Sequence, residues 1–136
     1  MNDDSRSFND ARRALLALLP GLALADLAQA QDAVKMQPMA YKVVAENDRM
    51  RVLEFNSRPG MGLCGTGMHS HPPHLSIALS PVKVRVKTSD GKQFEAENKV
   101  GDVFWSEAET HETENITGKN VRALIVELKT PAKAKA

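Results

Sequence analysis

The sequence has few of the features that mark nucleic-acid-binding or disulfide-stabilised proteins. Aromatic residues make up only 4% of its 136 residues, and the formal net charge at pH 7 is +1. Nucleic-acid binding requires a basic surface and usually stacking side chains, so we exclude this class of partner. The single cysteine, Cys64, excludes an internal disulfide. A chain of this length fits one domain with one core, and we expect small molecules or ions as partners.

Long apolar runs are also missing. The longest apolar stretch covers residues 14–25 (ALLALLPGLALA), which is shorter than the ~20 residues that a membrane-spanning helix requires. We therefore expect no stable membrane insertion. The pair Arg12 and Arg13 precedes this stretch, and the small-residue sequence Ala28-Gln29-Ala30 follows it. This order predicts that residues 1–30 are a Tat-type export signal and that the mature protein is periplasmic.

The same N-terminal region also fits a structural helix, since Leu15, Leu16 and Leu19 recur at helical spacing. On this interpretation the helix covers the core domain or pairs two subunits, and the protein is cytoplasmic. The boundaries that we predict for the rest of the chain are the same under both interpretations of residues 1–30. We predict an N-terminal arm over residues 31–40, a β-barrel over residues 41–129 and a disordered tail over the Lys/Ala-rich residues 130–136.

The domain from Tyr41 onward is predicted to be all-β. Apolar and polar residues alternate there, most clearly in 82–88 (VKVRVKT), as a strand with one buried face requires. Asp90-Gly91 and the segment 117–120 (TGKN) are typical of tight turns. Many short strands with regular turns indicate a sandwich or closed barrel. We predict strands over residues 41–46, 51–56, 75–79, 82–88, 93–98, 102–106 and 121–129.

All four histidines lie in two short windows, His69, His71 and His74 in GMHSHPPHL and His111 in AETHETEN. Residues i and i+2 of a strand point to the same face, so His69 and His71 can present two imidazoles to one point. His111 is the candidate for a third ligand from a distant strand. A histidine pair alone would equally fit a solvated or core-packed pair, but the third histidine favours a mononuclear metal site. Imidazole ligands suit a divalent Fe, Mn, Ni, Cu or Zn ion, and the spacing does not select among these metals.

These windows resemble the two motifs of the cupin superfamily, G(X)5HXH(X)3-4E(X)6G and G(X)5PXG(X)2H(X)3N. The first corresponds here to Gly62-LCGTGM-His69-Ser-His71, and the second to Gly101 followed by His111-Glu-Thr-Glu-Asn115. The resemblance covers about residues 40–129 and is greatest to small bacterial single-domain cupins of the beta-alanine degradation protein type. It implies a single-domain, jelly-roll β-barrel with one metal ion.

The chain departs from these motifs at positions that matter for the ligand set. The motif glutamate would fall at Leu75 or Ser76 when counted from His71, but at His74 when counted back from the strand end at Leu79. The resemblance therefore implies four metal ligands, His69, His71, His74 and His111. The alternative role for His74 is that of a histidine on the rim.

Two further groups of residues are candidates for chemistry. Glu107 and Glu109 replace the Pro and Gly of the second motif, where they would act as a general base or hydrogen-bond a ligand histidine; a solvated loop position is the alternative. Cys64 lies in a glycine-rich run before His69 and is a soft metal ligand, a redox-sensitive thiol or a small buried residue. Phe104 and Trp105 are adjacent on a strand, so one should face the barrel interior and the other the outside.

Three functions fit this sequence. The first is an enzyme, a metal-dependent dioxygenase or isomerase acting on a small molecule, as in cupins of this size. The second is a periplasmic module that binds a metal or a small ligand without catalysis. The third is a cupin that has lost its metal, which the four histidines argue against. We also expect a homodimer, because open sheet edges and exposed apolar strand faces need covering.

Overall fold

The computed structural model describes residues 31–59 and 68–130. The predictions for residues 1–30, Cys64 and residues 131–136 lie outside these ranges. In chain order the elements are α1 (Ala33–Met36), β1 (Tyr41–Glu46), β2 (Met50–Ser57), β3 (His69–His71), β4 (His74–Ala78), β5 (Val82–Thr88), β6 (Gln93–Asn98), β7 (Val103–Ser106), β8 (Glu109–Asn115) and β9 (Val121–Leu128). Over the described ranges, no helix has the length and apolar character needed to cross a membrane.

The strands form two antiparallel sheets, which confirms the all-β prediction. One sheet has the order β1-β2-β9-β4-β7 and the other the order β3-β8-β5-β6. Side chains from both sheets line a shared cavity. Strands that are distant in sequence therefore contribute to one interior, where the functional groups of the chain meet.

The alternating patterns identified most strands correctly. β1, β5 and β6 have the predicted bounds, and β2, β4, β7 and β9 differ from them by one residue at one or both ends. The turns at Gly91 and Gly118 are also confirmed, with φ angles of 85° and 71° that glycine adopts without steric strain.

Strand β8 was not among the predicted strands. Glu109 lies at its start, so the alternative that placed this residue in a solvated loop is wrong. The sequence of β8, ETHETEN, lacks the apolar alternation by which the other strands were recognised. Its inward positions carry Glu109, His111 and Thr113, which line the cavity instead of packing in an apolar core. The short strand β3, His69–His71, was likewise not among the predicted strands.

The apolar core packs the arm against the sheet. Leu53 and Val121 are completely buried, and Tyr41, Phe55 and Ile125 lie in the same cluster with Ala33 of α1. Burying a side chain such as Leu53 stabilises a fold by roughly 1.5–3 kcal/mol. The core thereby fixes α1 and the start of β1 next to the interior.

Candidate metal centre

The register between β3 and β8 brings the predicted ligands together. His69 lies opposite His111, and His71 lies opposite Glu109. Directly opposed residues of an antiparallel pair share a face, as do residues two apart on one strand. Three imidazoles and one carboxylate therefore point to the same side of this sheet, towards the interior.

The three imidazoles form a compact group. The ring centroids of His69 and His71 are 5.0 Å apart, those of His69 and His111 are 4.9 Å apart, and those of His71 and His111 are 5.4 Å apart. Each residue offers one nitrogen such that all three lie within 4.8 Å of one another, and all three residues are buried. This arrangement is able to hold a metal ion.

His74 lies beside this group. Its ring centroid is 5.0 Å from that of His71, its Nδ1 donates to the carbonyl oxygen of Pro72 at 2.8 Å, and its Nε2 lies 3.5 Å from a carboxylate oxygen of Glu109. The group of nitrogens within 4.8 Å comprises three of the four predicted ligands. The role of His74 as a fourth ligand therefore stays a prediction.

The surroundings of His71 leave one of its ring nitrogens available to bind a metal. Its Nδ1 donates to Oε1 of Glu127 at 2.8 Å, and its buried Nε2 has no hydrogen-bond partner among residues 31–59 and 68–130. Burial, together with positive charge on His111 and His74, lowers the pKa of His71 to about 3. The ring is therefore neutral near pH 7, which is the form that binds a metal.

Glu127 is itself fixed by a buried ion pair. Arg51 donates to Oε2 of Glu127 from Nε at 2.8 Å and from Nη2 at 2.5 Å, and Nη2 also donates to Asp32 at 2.5 Å. Burial raises the pKa of Glu127, although the hydrogen bond from Arg51 opposes this shift. The same two carboxylates raise the pKa of Arg51 against the effect of its burial. A chain of hydrogen bonds thus runs from Asp32 in the arm to the ring of His71.

The two candidate glutamates differ in their positions. Glu109 is half-buried, with Oε1 3.3 Å from Nδ1 of His111, and it lines the cavity. Burial would raise the pKa of Glu109, but the hydrogen bond and charge of His111 outweigh it and lower the pKa. Glu107 is exposed and accepts a hydrogen bond from Nε1 of Trp105 at 2.8 Å. The structure therefore brings Glu109, and not Glu107, to the histidines.

Sequence reasoning missed three residues of this site. Tyr41 places its hydroxyl 3.0 Å from Nε2 of His69, and Glu127 and Arg51 form the ion pair behind His71. For Glu127 a signal was present, because it lies on the same face of β9 as Val121, Ala123 and Ile125, which are all apolar. A carboxylate at such a position needs a partner, which predicts a buried polar network.

A cavity of about 400 Å³ opens next to the histidines. His71, His74, His111 and Glu109 contribute to its lining. Phe104 contributes to the cavity lining although 41% of it is exposed, whereas Trp105 lies outside that lining and donates a hydrogen bond to Glu107. This confirms the prediction that one of the two aromatic residues faces inward. The remaining wall is largely apolar and comes from both sheets.

Comparison with known proteins supports the fold. No protein-family model and no curated protein matches the sequence. Similar solved structures include a cupin domain from Bordetella pertussis, with 22% identity, a TM-score of 0.58 and coverage of 66% of this chain and 92% of that one. An RmlC-like cupin from Methanocaldococcus jannaschii has 12% identity, a TM-score of 0.53 and coverage of 71% and 85%.

A conserved protein with a double-stranded β-helix domain from Klebsiella pneumoniae is similar as well. It has 19% identity, a TM-score of 0.51 and coverage of 70% of this chain and 78% of that one. At these identities the likeness shows the fold alone. The domain thus has the fold that the histidine motifs predicted.

Proposed function

We propose that this cupin-fold protein binds one divalent transition-metal ion through His69, His71 and His111 and acts on a small molecule in the adjoining cavity, as an oxygenase or isomerase. The observation that carries the proposal is the group of three buried imidazoles whose nitrogens lie within 4.8 Å of one another. A buried cluster of polar rings is unfavourable unless its nitrogens find partners. A metal ion satisfies all three at once.

The donor set fits such an ion. His71 has one nitrogen held by Glu127 and a second, buried nitrogen without a hydrogen-bond partner in the described part of the chain. Imidazole ligands suit Fe, Mn, Ni, Cu or Zn. A bound ion of this kind would supply Lewis acidity or a redox couple.

The residues around the ligands have distinct roles in this proposal. Glu127 holds His71 in the tautomer that leaves Nε2 free for a metal, which also makes the ring more basic. Glu109 lines the cavity, and its lowered pKa keeps it ionised, so it would accept a hydrogen bond from a molecule bound there, although the same shift makes it a weak general base. The apolar wall excludes water around that molecule.

A non-enzymatic module that binds a metal or small ligand is the second candidate. The deep burial of the three histidines favours it, since retention of an ion does not require turnover. Export of the protein to the periplasm after cleavage of residues 1–30 would suit this role and is proposed with it. A homodimer is proposed for both candidates, because Val103 and Trp105 on edge strand β7 are about half exposed.

Metal content tests the proposal directly. We expect about one equivalent of metal per chain after expression without a histidine tag in medium containing all five metals. His111→Ala should lose stoichiometric binding, whereas Cys64→Ser, the control, should keep it. Retention of metal by His111→Ala would contradict the assignment.

The identity of the ion then separates the two candidates. Bound Fe or Mn, with oxygen consumption or isomerisation of small acids and diketones, would support an enzyme. Tightly bound Zn or Cu without turnover would support the binding module. Expression without any bound metal would overturn both.

A further inference from the structure

The polarity of the cavity changes along the barrel. His71, His74, His111 and Glu109 lie at one end. In the second sheet, His111 is in register with Thr88, and the next inward residues of the same strand are Val86, Val84 and Val82. These apolar positions span five residues of β5, or about 13 Å from Val82 to Val86.

The side chains that the opposite sheet contributes to the lining also change from polar to apolar in the same direction. His74 is in register with Glu127, and the inward residues that follow on β9 are Ile125 and then Ala123. Phe55 and Phe104 add aromatic surface to this part of the wall. The cavity therefore offers a polar end at the histidines and a mainly apolar body beyond it, in which Ser76 beside Ile125 and Asn98 beside Val82 are polar exceptions.

Thr113 adds a polar group to the mainly apolar part of the cavity wall. It lies two residues after His111 on the same face of β8 and lines the cavity. Its buried hydroxyl has no hydrogen-bond partner within the described ranges. Such a group calls for a partner, and a polar atom of a bound molecule would supply one.

The charges of the wall limit what the cavity accepts. Its described lining includes the carboxylates of Glu97 and Glu109 but neither lysine nor arginine. Arg51 is engaged by Glu127 and Asp32. The histidine end would hold one negative group of a ligand next to a bound cation. A second negative charge farther along the ligand would lie mostly against apolar side chains, or near Glu97 and Asn98, with no lysine or arginine in the described lining to pair with it, which is unfavourable.

We infer that the ligand of this site is a small amphipathic monoanion. Its single carboxylate lies at the histidine end, and its apolar body packs along the wall formed by Val84, Val86 and Ile125. Dicarboxylates of the same length are disfavoured. The inference rests on the proposed function, because the ion at the histidines attracts the carboxylate.

A series of acids tests the inference on protein loaded with zinc, whose content is measured first. Calorimetric titration with acetate, butanoate and hexanoate should give an affinity that rises about fourfold for each added methylene. Hexanoate should bind at least about tenfold more tightly than adipate, which has the same number of carbons and a second carboxylate.

Two substitutions on strand β7 test whether the preference for hexanoate over adipate arises from the cavity wall. Phe104→Arg places a cation in the cavity wall and should shift the preference towards adipate. Trp105→Arg adds the same charge to a residue outside the described cavity lining and should leave the preference unchanged. Equal affinity for acetate and hexanoate at full zinc occupancy, or for hexanoate and adipate, would overturn the inference alone. Failure to bind any of the five metals would instead overturn the proposed function on which it rests.

Discussion

The hydrogen bond between Glu127 and His71 makes the most specific prediction about the metal centre. Glu127→Gln keeps the size of the side chain but removes its charge. The carboxylate accepts from Nδ1 of His71 on one oxygen and from Arg51 on the other. An amide has a single acceptor oxygen, so it cannot satisfy both donors. The charged guanidinium of Arg51 should attract that oxygen, which turns the amide nitrogen towards His71.

This orientation of the amide would stabilise the tautomer of His71 that carries its proton on Nε2. Facing an N–H donor, Nδ1 of His71 becomes an acceptor, and the proton moves to Nε2, the nitrogen that a metal needs. Loss of such an orienting partner typically lowers metal affinity about 10- to 100-fold. The metal-free protein should also lose about 1–3 kcal/mol of unfolding free energy, because a charge-assisted bond in a buried network is weakened. Glu127 is only 1% exposed, so solvent cannot replace it.

Competition with a chromogenic chelator measures the affinity, and urea unfolding of the metal-free protein measures stability. Glu54→Gln is the matched control, since Glu54 pairs with Arg122 at 3.2 Å between side chains that are 31% and 50% exposed. That variant should keep full metal affinity and lose less than about 1 kcal/mol. If the folded Glu127→Gln protein binds metal as tightly as the unaltered protein, then Glu127 does not orient a metal ligand.

Three further substitutions test neighbouring features. His74→Ala should keep one equivalent of metal with reduced affinity, because three buried imidazoles remain; complete loss in an elemental analysis would make His74 essential. Tyr41→Phe removes a hydroxyl that competes for Nε2 of His69, so metal affinity in the chelator assay should rise by up to about fivefold. A fall in affinity would mean that the phenol oxygen contributes to the site. Gly91→Ala forces alanine to a φ of 85° and should lower unfolding free energy by about 1 kcal/mol in urea without changing metal content.

The fold was predictable where one face of a strand packs against apolar neighbours. In β5 the alternation of valine with lysine and arginine reflects a buried and a solvated face, and its predicted bounds match the structure. β8 could not be recognised in this way, because its inward residues are polar groups that line the cavity. The pattern that identifies a strand is lost where the inward side chains face a cavity and not an apolar core.

The histidines were predictable for a different reason. The pair His69 and His71 needs only the two-residue period of a strand to share a face, and this period is a local property of the chain. The distance from His111 to this pair depends on the register of β3 with β8, which only the folded sheet sets. His111 could be identified as the third ligand from the composition alone, because no other histidine occurs after His74.

The position of the carboxylates could not be read from the motif. The resemblance implies a glutamate shortly after the histidine pair, but the start of β4 has none there: the slot falls at Leu75 or Ser76 counted from His71, or at His74 counted back from Leu79. Two carboxylates instead reach the same region across strands, because Glu109 is opposite His71 and Glu127 is opposite His74. Arg51 neutralises Glu127, whereas Glu109 interacts with His74 and His111. The site therefore has a carboxylate next to its histidines although this chain has no glutamate at the position of the first motif, and that carboxylate, Glu109, comes from the window of the second motif on β8.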